Sequence, residues 1–182
     1  MSILPKDYIA PQGAYTKITQ AITSLRILSP EALTGYELWI EKKPVRKAEL
    51  DMFTSEELRK ADTNKDGTRR QPKHFYAFVV WNNTAKRLQV YQASQKSVQE
   101  SIVGIEMSWG NMREYDIEIS KTGEGMETRY KVLPAKPSPL APEILKAYKD
   151  AKIDLTELLR GGDPFTKSSE KVDPNSIPDF KI

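Results

Sequence analysis

The run Phe75-Tyr76-Ala77-Phe78-Val79-Val80-Trp81 is the most apolar stretch of the chain and the one that most restricts its fold. Its length suits a strand and falls far short of the roughly 20 residues a membrane-spanning helix needs. Asn82-Asn83-Thr84-Ala85-Lys86 behind it is turn chemistry, and Arg87 to Gln92 returns with Leu88 and Val90 on one face and Gln89 and Tyr91 on the other. The chain is thereby expected to form antiparallel β structure around this hairpin. Phe78 and Val80 are expected in the core, with Tyr76 on their face. The run is apolar on both sides, so its alternation leaves the side of Trp81 open.

Further strands are expected either side. Ile22, Leu25, Ile27 and Leu28 mark a first strand, stopped by Ser29-Pro30. From Gly35 onward, Tyr36, Leu38 and Ile40 share one face and Glu37, Trp39 and Glu41 the other, which sets Trp39 on the outer side. A second hairpin joins Tyr115–Ser120 to Thr128–Leu133 through Gly123-Glu124-Gly125; Tyr130 and Val132 point inward there, and Arg129 and Lys131 outward. Ser97-Val98-Gln99-Glu100 fits a capping box opening a helix that carries Val98, Ile102 and Ile105, with Trp109 as a packing residue at its end.

Residues 42–73 differ from their flanks. They are rich in Lys and Arg around a short helical stretch near Ser55–Ala61 and read as a long basic insertion. Residues 1–18 are expected to form an extended lead-in, 143–165 two short helices, and 166–182 a polar, flexible tail. The order strand, insertion, hairpin, helix, hairpin predicts a mainly β fold: a five-stranded OB-fold barrel over 19–142. A helix is expected between its third and fourth strands, and the basic insertion after the first.

Composition removes several function classes. The 182 residues include no Cys and a single His, so thiolate catalysis, sulfur-ligated zinc and a His-rich metal site are excluded. The net charge of +3 is mild, which makes the placement of charge matter more than its sum. The start of the chain shows no signal-peptide pattern, and a cytoplasmic location without membrane association is expected. Asp62-Thr63-Asn64-Lys65-Asp66-Gly67 copies the first half of a calcium loop, yet Arg70 and Lys73 occupy its ninth and twelfth positions, where oxygen ligands belong. The segment therefore reads as a turn. Gly123-x-Gly125 lacks a third glycine and lies in a hairpin, so it is no dinucleotide fingerprint. No catalytic constellation assembles around His74, and no enzyme activity, metal or cofactor is expected.

What remains is an interleaving of cations and rings, the pattern that holds single-stranded nucleic acid: cations neutralise phosphates while flat rings stack on bases. The candidates are Trp39, Lys42, Lys43 and Arg46, then Lys73, Phe75 and Trp81, then Arg87 and Tyr91, and finally Arg129 and Lys131.

Several short segments resemble the OB-fold single-stranded DNA-binding proteins of tailed bacteriophages and prophages. They are Leu25-Arg26-Ile27-Leu28-Ser29, Gly35-Tyr36-Glu37-Leu38-Trp39, Lys43-Pro44-Val45-Arg46, Pro72 through Trp81, Gln95-Lys96-Ser97, Trp109-Gly110, Tyr115-Asp116-Ile117 and Gly123 through Tyr130, with Asp163-Pro164-Phe165 near the end. The resemblance implies coating of single-stranded DNA in phage replication, recombination or repair, in the host cytoplasm, with Trp39, Lys43, Arg46, Lys73, Phe75 and Trp81 in segments lining the groove. It carries no metal over, because the zinc-bearing relatives need Cys. An OB-fold module that docks a replication or recombination protein, and an RNA-binding protein, stand as alternatives.

Overall fold

The structure is a computed structural model and describes residues 13–165, so the expected tail over 166–182 and the expected lead-in before residue 13 lie outside the described residues. It is mainly β. Seven strands, β1 (Thr23–Ile27), β2 (Leu33–Ile40), β3 (Lys43–Lys47), β4 (Lys73–Asn82), β5 (Arg87–Ala93), β6 (Ile117–Thr122) and β7 (Arg129–Pro134), form one sheet. The helices are α1 (Ser55–Lys60), α2 (Lys96–Trp109), α3 (Pro142–Ala151) and α4 (Glu157–Arg160). None among the described residues is long and apolar enough to cross a membrane.

The sheet runs β3-β2-β4-β1-β6-β7, and β5 pairs with β4. All its ladders are antiparallel. The ten-residue β4 organises it. One edge takes β5 through Tyr76↔Ala93 to Asn82↔Arg87; the other takes β2 near its start and β1 near its end. The expected five-stranded closed barrel is corrected here in two respects. The insertion contributes a strand of its own, β3, and among the described residues no ladder joins β5 to β7. Residues 14–16 pair with the free edge of β5 instead, and Thr19 reaches β6. Val90 N–H donates to the Ala14 carbonyl, Thr16 N–H to Val90, and Lys121 N–H to Thr19.

Each face of β4 is covered by something different. Its even-numbered residues Phe78 and Val80 join Leu25, Ile27, Tyr91, Val98, Ile102, Tyr115, Ile117 and Ile119 in the main core, beneath α2, with Tyr76, Tyr130 and Val132 packed at the margin. The odd-numbered Phe75 and Ala77 join Val90 under Leu158 of α4, with Ile153, Leu155, Leu159 and Phe165 around it. A third cluster, Leu38, Phe53 and Ala61 with Tyr36, Ile40 and Val45, gives the insertion its own core. That segment is therefore a folded lobe, hydrogen-bonded through β3 to β2 and held by the capping box of Thr54 and Glu57 at α1. Burying these apolar faces supplies the main stabilising term, roughly 25 cal/mol per Å² removed from water.

Two local expectations change. α2 begins at Lys96 with Gln95 as N-cap and no side-chain cap, so the Ser97–Glu100 box is not formed. Trp109 packs on Tyr115 at 5.8 Å between ring centres yet stays 49% exposed. The Asp62–Gly67 segment is a turn: Asp62 accepts from Lys42 N–H and Asp66 from Thr68.

Gly35 sits where β2 passes close to β3 and to the Phe75 ring of β4. A Cβ there would stand 2.7 Å from the Lys47 carbonyl oxygen and 3.1 Å from the Phe75 ring. Gly35→Ala is expected to destabilise the fold by about 1–3 kcal/mol through overpacking. Urea unfolding measures this, and a change within a few tenths would mean that β3 yields freely.

Candidate nucleic-acid interface

The β2–β3 turn is a two-residue hairpin with Glu41 and Lys42 both in the left-handed region, φ 51° and 61°. It presents Lys42 and Lys43 to solvent at its tip. The register sets Trp39 opposite Pro44 and Glu37 opposite Arg46, while Glu37 also faces Lys73 across β4. Alternation then places Glu37, Trp39 and Arg46 on one side of the sheet.

Glu37 is the hinge of this arrangement. It is 9% exposed and fully engaged. Trp39 Nε1 donates to its Oε1 at 3.0 Å; Gln92 Nε2 and an Arg46 Nη2 ion pair reach Oε2, each at 2.8 Å. Burying that carboxylate alone would be costly, so the three donors and the carboxylate hold one another in place. The consequence for Trp39 is a fixed ring. The Arg70 guanidinium lies over it, 5.9 Å from the ring centre.

Between the lobe and the ends of β4 and β5 is a cleft of about 360 Å³. Trp39, Arg70 and Lys73 line it, with Glu37 in its wall. Asn64, Gln71, Ser94 and Gln95 complete it with neutral hydrogen-bonding groups. The Arg70 Nε–H is buried without an acceptor among the described residues. α2 starts at the cleft with no acidic residue in its first turn, which leaves its positive end uncompensated. Some other cations of the lobe are engaged: Lys47 with Glu57, Lys60 with Glu56, and Arg69 with the Arg59 and Ala61 carbonyls. Lys42, Lys43 and Lys73 form no ion pair among the described residues.

Compared with known proteins, the chain matches no family model, no curated protein and no solved structure.

The expected site residues divide accordingly. Trp39, Arg46 and Lys73 come together, with Lys42 and Lys43 at the adjoining turn. Arg46, however, pairs with Glu37 through Nη2 and has its guanidinium over the Phe75 ring at 6.0 Å, while its buried Nε–H, like that of Arg70, has no acceptor among the described residues. Phe75 and Tyr91 are corrections. Phe75 is 0% exposed beneath Leu158, and Tyr91 is 2% exposed in the main core, so neither ring has a face to offer a base. Burial also pushes the Tyr91 hydroxyl pKa up, with Tyr130 adding to the effect. Trp81 is half-buried opposite Arg26 and Leu88, and Arg87 is exposed beside it. Trp81 sits at the far end of β4, about 27 Å from Lys73 at the usual strand rise, and Arg87 opens β5 alongside it. Arg129 and Lys131 project from β7 as expected, although Arg129 donates to the Met126 and Thr128 carbonyls of its own hairpin.

His74 is half-buried, edge-on between Tyr36 and Tyr76 at 5.1 and 5.2 Å. Sequence reasoning does not reach Arg70, Gln95 or the fixing role of Glu37. Arg70 is visible there only as one cation in a basic segment, Gln95 only within the resembling segment Gln95-Lys96-Ser97, and nothing local marks the role of Glu37.

Proposed function

We propose that the chain binds single-stranded DNA without catalysis, and that the Trp39 cleft is where a base and its phosphate are held. The observation that carries this is the conjunction in one cleft of a clamped indole, Arg70 with an unmet donor, and the exposed Lys73. A ring supplies stacking to any base, and the cations supply the sequence-independent attraction to phosphate. The strand succession supports an OB-type architecture. β1 and β2 act as one bent run against β4, α2 falls between β5 and β6, and β6–β7 is the closing hairpin. The sequence resemblance points the same way, to coating of single strands in phage replication, recombination or repair.

Titration with oligo-dT, followed by Trp fluorescence with a duplex as control, tests the reading. Quenching by the single strand and little response to the duplex are expected; no binding at low salt would overturn it. Trp39→Ala is expected to weaken binding by about 1–3 kcal/mol, the worth of one stacked base. Undiminished affinity would remove Trp39 from the interface. Replacing Lys42, Lys43 and Lys73 by Ala should flatten the log–log salt dependence by about 2, at roughly 0.7 for each phosphate no longer neutralised. An unchanged slope would show those lysines to be bystanders. Matched RNA oligomers separate an RNA-binding function.

A docking module for a replication or recombination protein is the second reading. Val103, Met107 and Trp109 favour it: on α2 they are 41%, 83% and 49% exposed, and Val103 also lines a cavity of about 330 Å³ with apolar residues such as Phe78 and Ile102 and the charged Glu31, Glu106 and Arg113.

A further inference from the structure

We propose that the strand held in the Trp39 cleft continues along the open side of the sheet between β5 and β7, where Lys17 and Tyr130 form a second nucleotide seat. This rests on the single-stranded DNA reading.

A second cavity, of about 350 Å³, occupies that side. Its apolar part is Ile18, Tyr91 and Tyr130; its polar part is Thr16, Lys17 and two glutamines, Gln92 and Gln95. Gln95 lines both cavities, so they are neighbours with one shared wall. Gln92 ties them again, because it lines the second cavity while donating to Glu37 in the first. The cavity exists because the sheet does not close: among the described residues β5 and β7 share no ladder, and residues 14–16 pair with β5 while Thr19 meets β6.

Its chemistry is that of a nucleotide seat. No carboxylate lines it among the described residues. The one carboxylate of the neighbouring cleft, Glu37, is committed to Arg46, Trp39 and Gln92. An anionic backbone therefore meets no uncompensated negative charge along either cavity. Lys17 is exposed at the rim. The half-buried Tyr130 supplies a ring, and strand alternation projects its neighbours Arg129 and Lys131 outward from the same strand. The path thus connects Trp39, Arg70 and Lys73 with Lys17 and Tyr130 by way of Gln95, at the start of α2. The β4 face between Phe75 and Trp81 is excluded from it, because α4 covers Phe75 and Ala77.

The test uses the full chain and an oligo-dT dodecamer carrying 5-iodouracil for photocrosslinking. Lys17→Glu is expected to weaken binding at least about tenfold, since a charge-assisted contact is replaced by repulsion. The crosslink is expected at Tyr130. Arg70→Ala serves as the control for the first cleft. If Arg70→Ala weakens binding while Lys17→Glu leaves it within about twofold, the second seat is wrong and the DNA reading stands. A crosslink at Trp81 with none at Tyr130 also overturns the path. If the unaltered chain does not bind the dodecamer at low salt, the reading beneath the proposal fails with it.

Discussion

Asp116→Ala should lower the unfolding free energy by about 3 kcal/mol, the lower end of the roughly 3–5 expected when one partner of a buried ion pair is removed. The reason lies in Arg26, which is 3% exposed on β1. Its Nε donates to Asp116 Oδ1 at 2.5 Å, Nη1 to the Ser138 carbonyl at 3.1 Å and Nη2 to Ser138 Oγ at 2.7 Å. Asn83 Nδ2 reaches the other Asp116 oxygen at 3.0 Å and Ser24 Oγ at 3.1 Å. One guanidinium and one carboxylate thus join β1, the β4–β5 turn, the approach to β6 and the chain beyond β7. Without Asp116 the guanidinium stays buried with no counter-charge. The Asp116 side chain is 27% exposed, so water offsets part of that loss, which sets the expectation at the low end. Urea denaturation of Asp116→Ala and Asp116→Asn separates charge from geometry, since Asn keeps an acceptor for Arg26. A loss below about 1 kcal/mol in Asp116→Ala would mean that solvent already replaces the carboxylate.

The strand positions are legible in the sequence because their signals are local. Alternation through Tyr36–Ile40 locates β2 and correctly sets Leu38 inward and Trp39 on the opposite side. Turn residues locate both hairpins, and β7 alternates as expected, with Tyr130 and Val132 inward. The faces of β4 are not legible. Period-two contrast disappears when both sides of a strand are covered. Here α2 covers one side and α4 the other, and neither cover is encoded within the strand itself. Phe75 therefore reads as a binding ring in the sequence and is a core ring in the fold. Tyr91 misleads for a related reason: its partner across the ladder is the buried Phe78, a register fact rather than a sequence pattern. The segment 42–73 reads as a long basic insertion with one short helix, which is α1, and not as a folded lobe with a strand, because its other pieces are short. A five-residue strand and a bridge at Thr63↔Arg69 each give a weak signal. The cleft depends on all of these meeting the ends of β4 and β5, so the sequence points to Trp39 and Lys73 and not to Arg70 and Gln95.

Leu158→Ala should cost about 2–5 kcal/mol and leave single-strand affinity unchanged, and the second half of that expectation is the more informative. Leu158 is 1% exposed and is the central contact between α4 and Phe75, Ala77 and Val90. Truncating a buried Leu removes its transfer energy and leaves a cavity. α4 is only four residues long, so the loss can show as local release of the arm as well as global unfolding. Hydrogen exchange across 153–165 separates the two outcomes. Either way, release bares Phe75, Ala77 and Val90, the sheet face that an OB-type binder would offer a strand. If that face were the DNA track and α4 its cover, weakening the cover would raise affinity for oligo-dT. If the track runs through the Trp39 cleft and along the β5–β7 side, none of its contacts involves Leu158, and affinity measured below the unfolding transition stays where it was. A rise of about tenfold or more would move the interface back to Phe75 and Trp81 and recast residues 153–165 as a gate. An unchanged affinity would leave α4 as the packing that lets β4 be apolar on both sides.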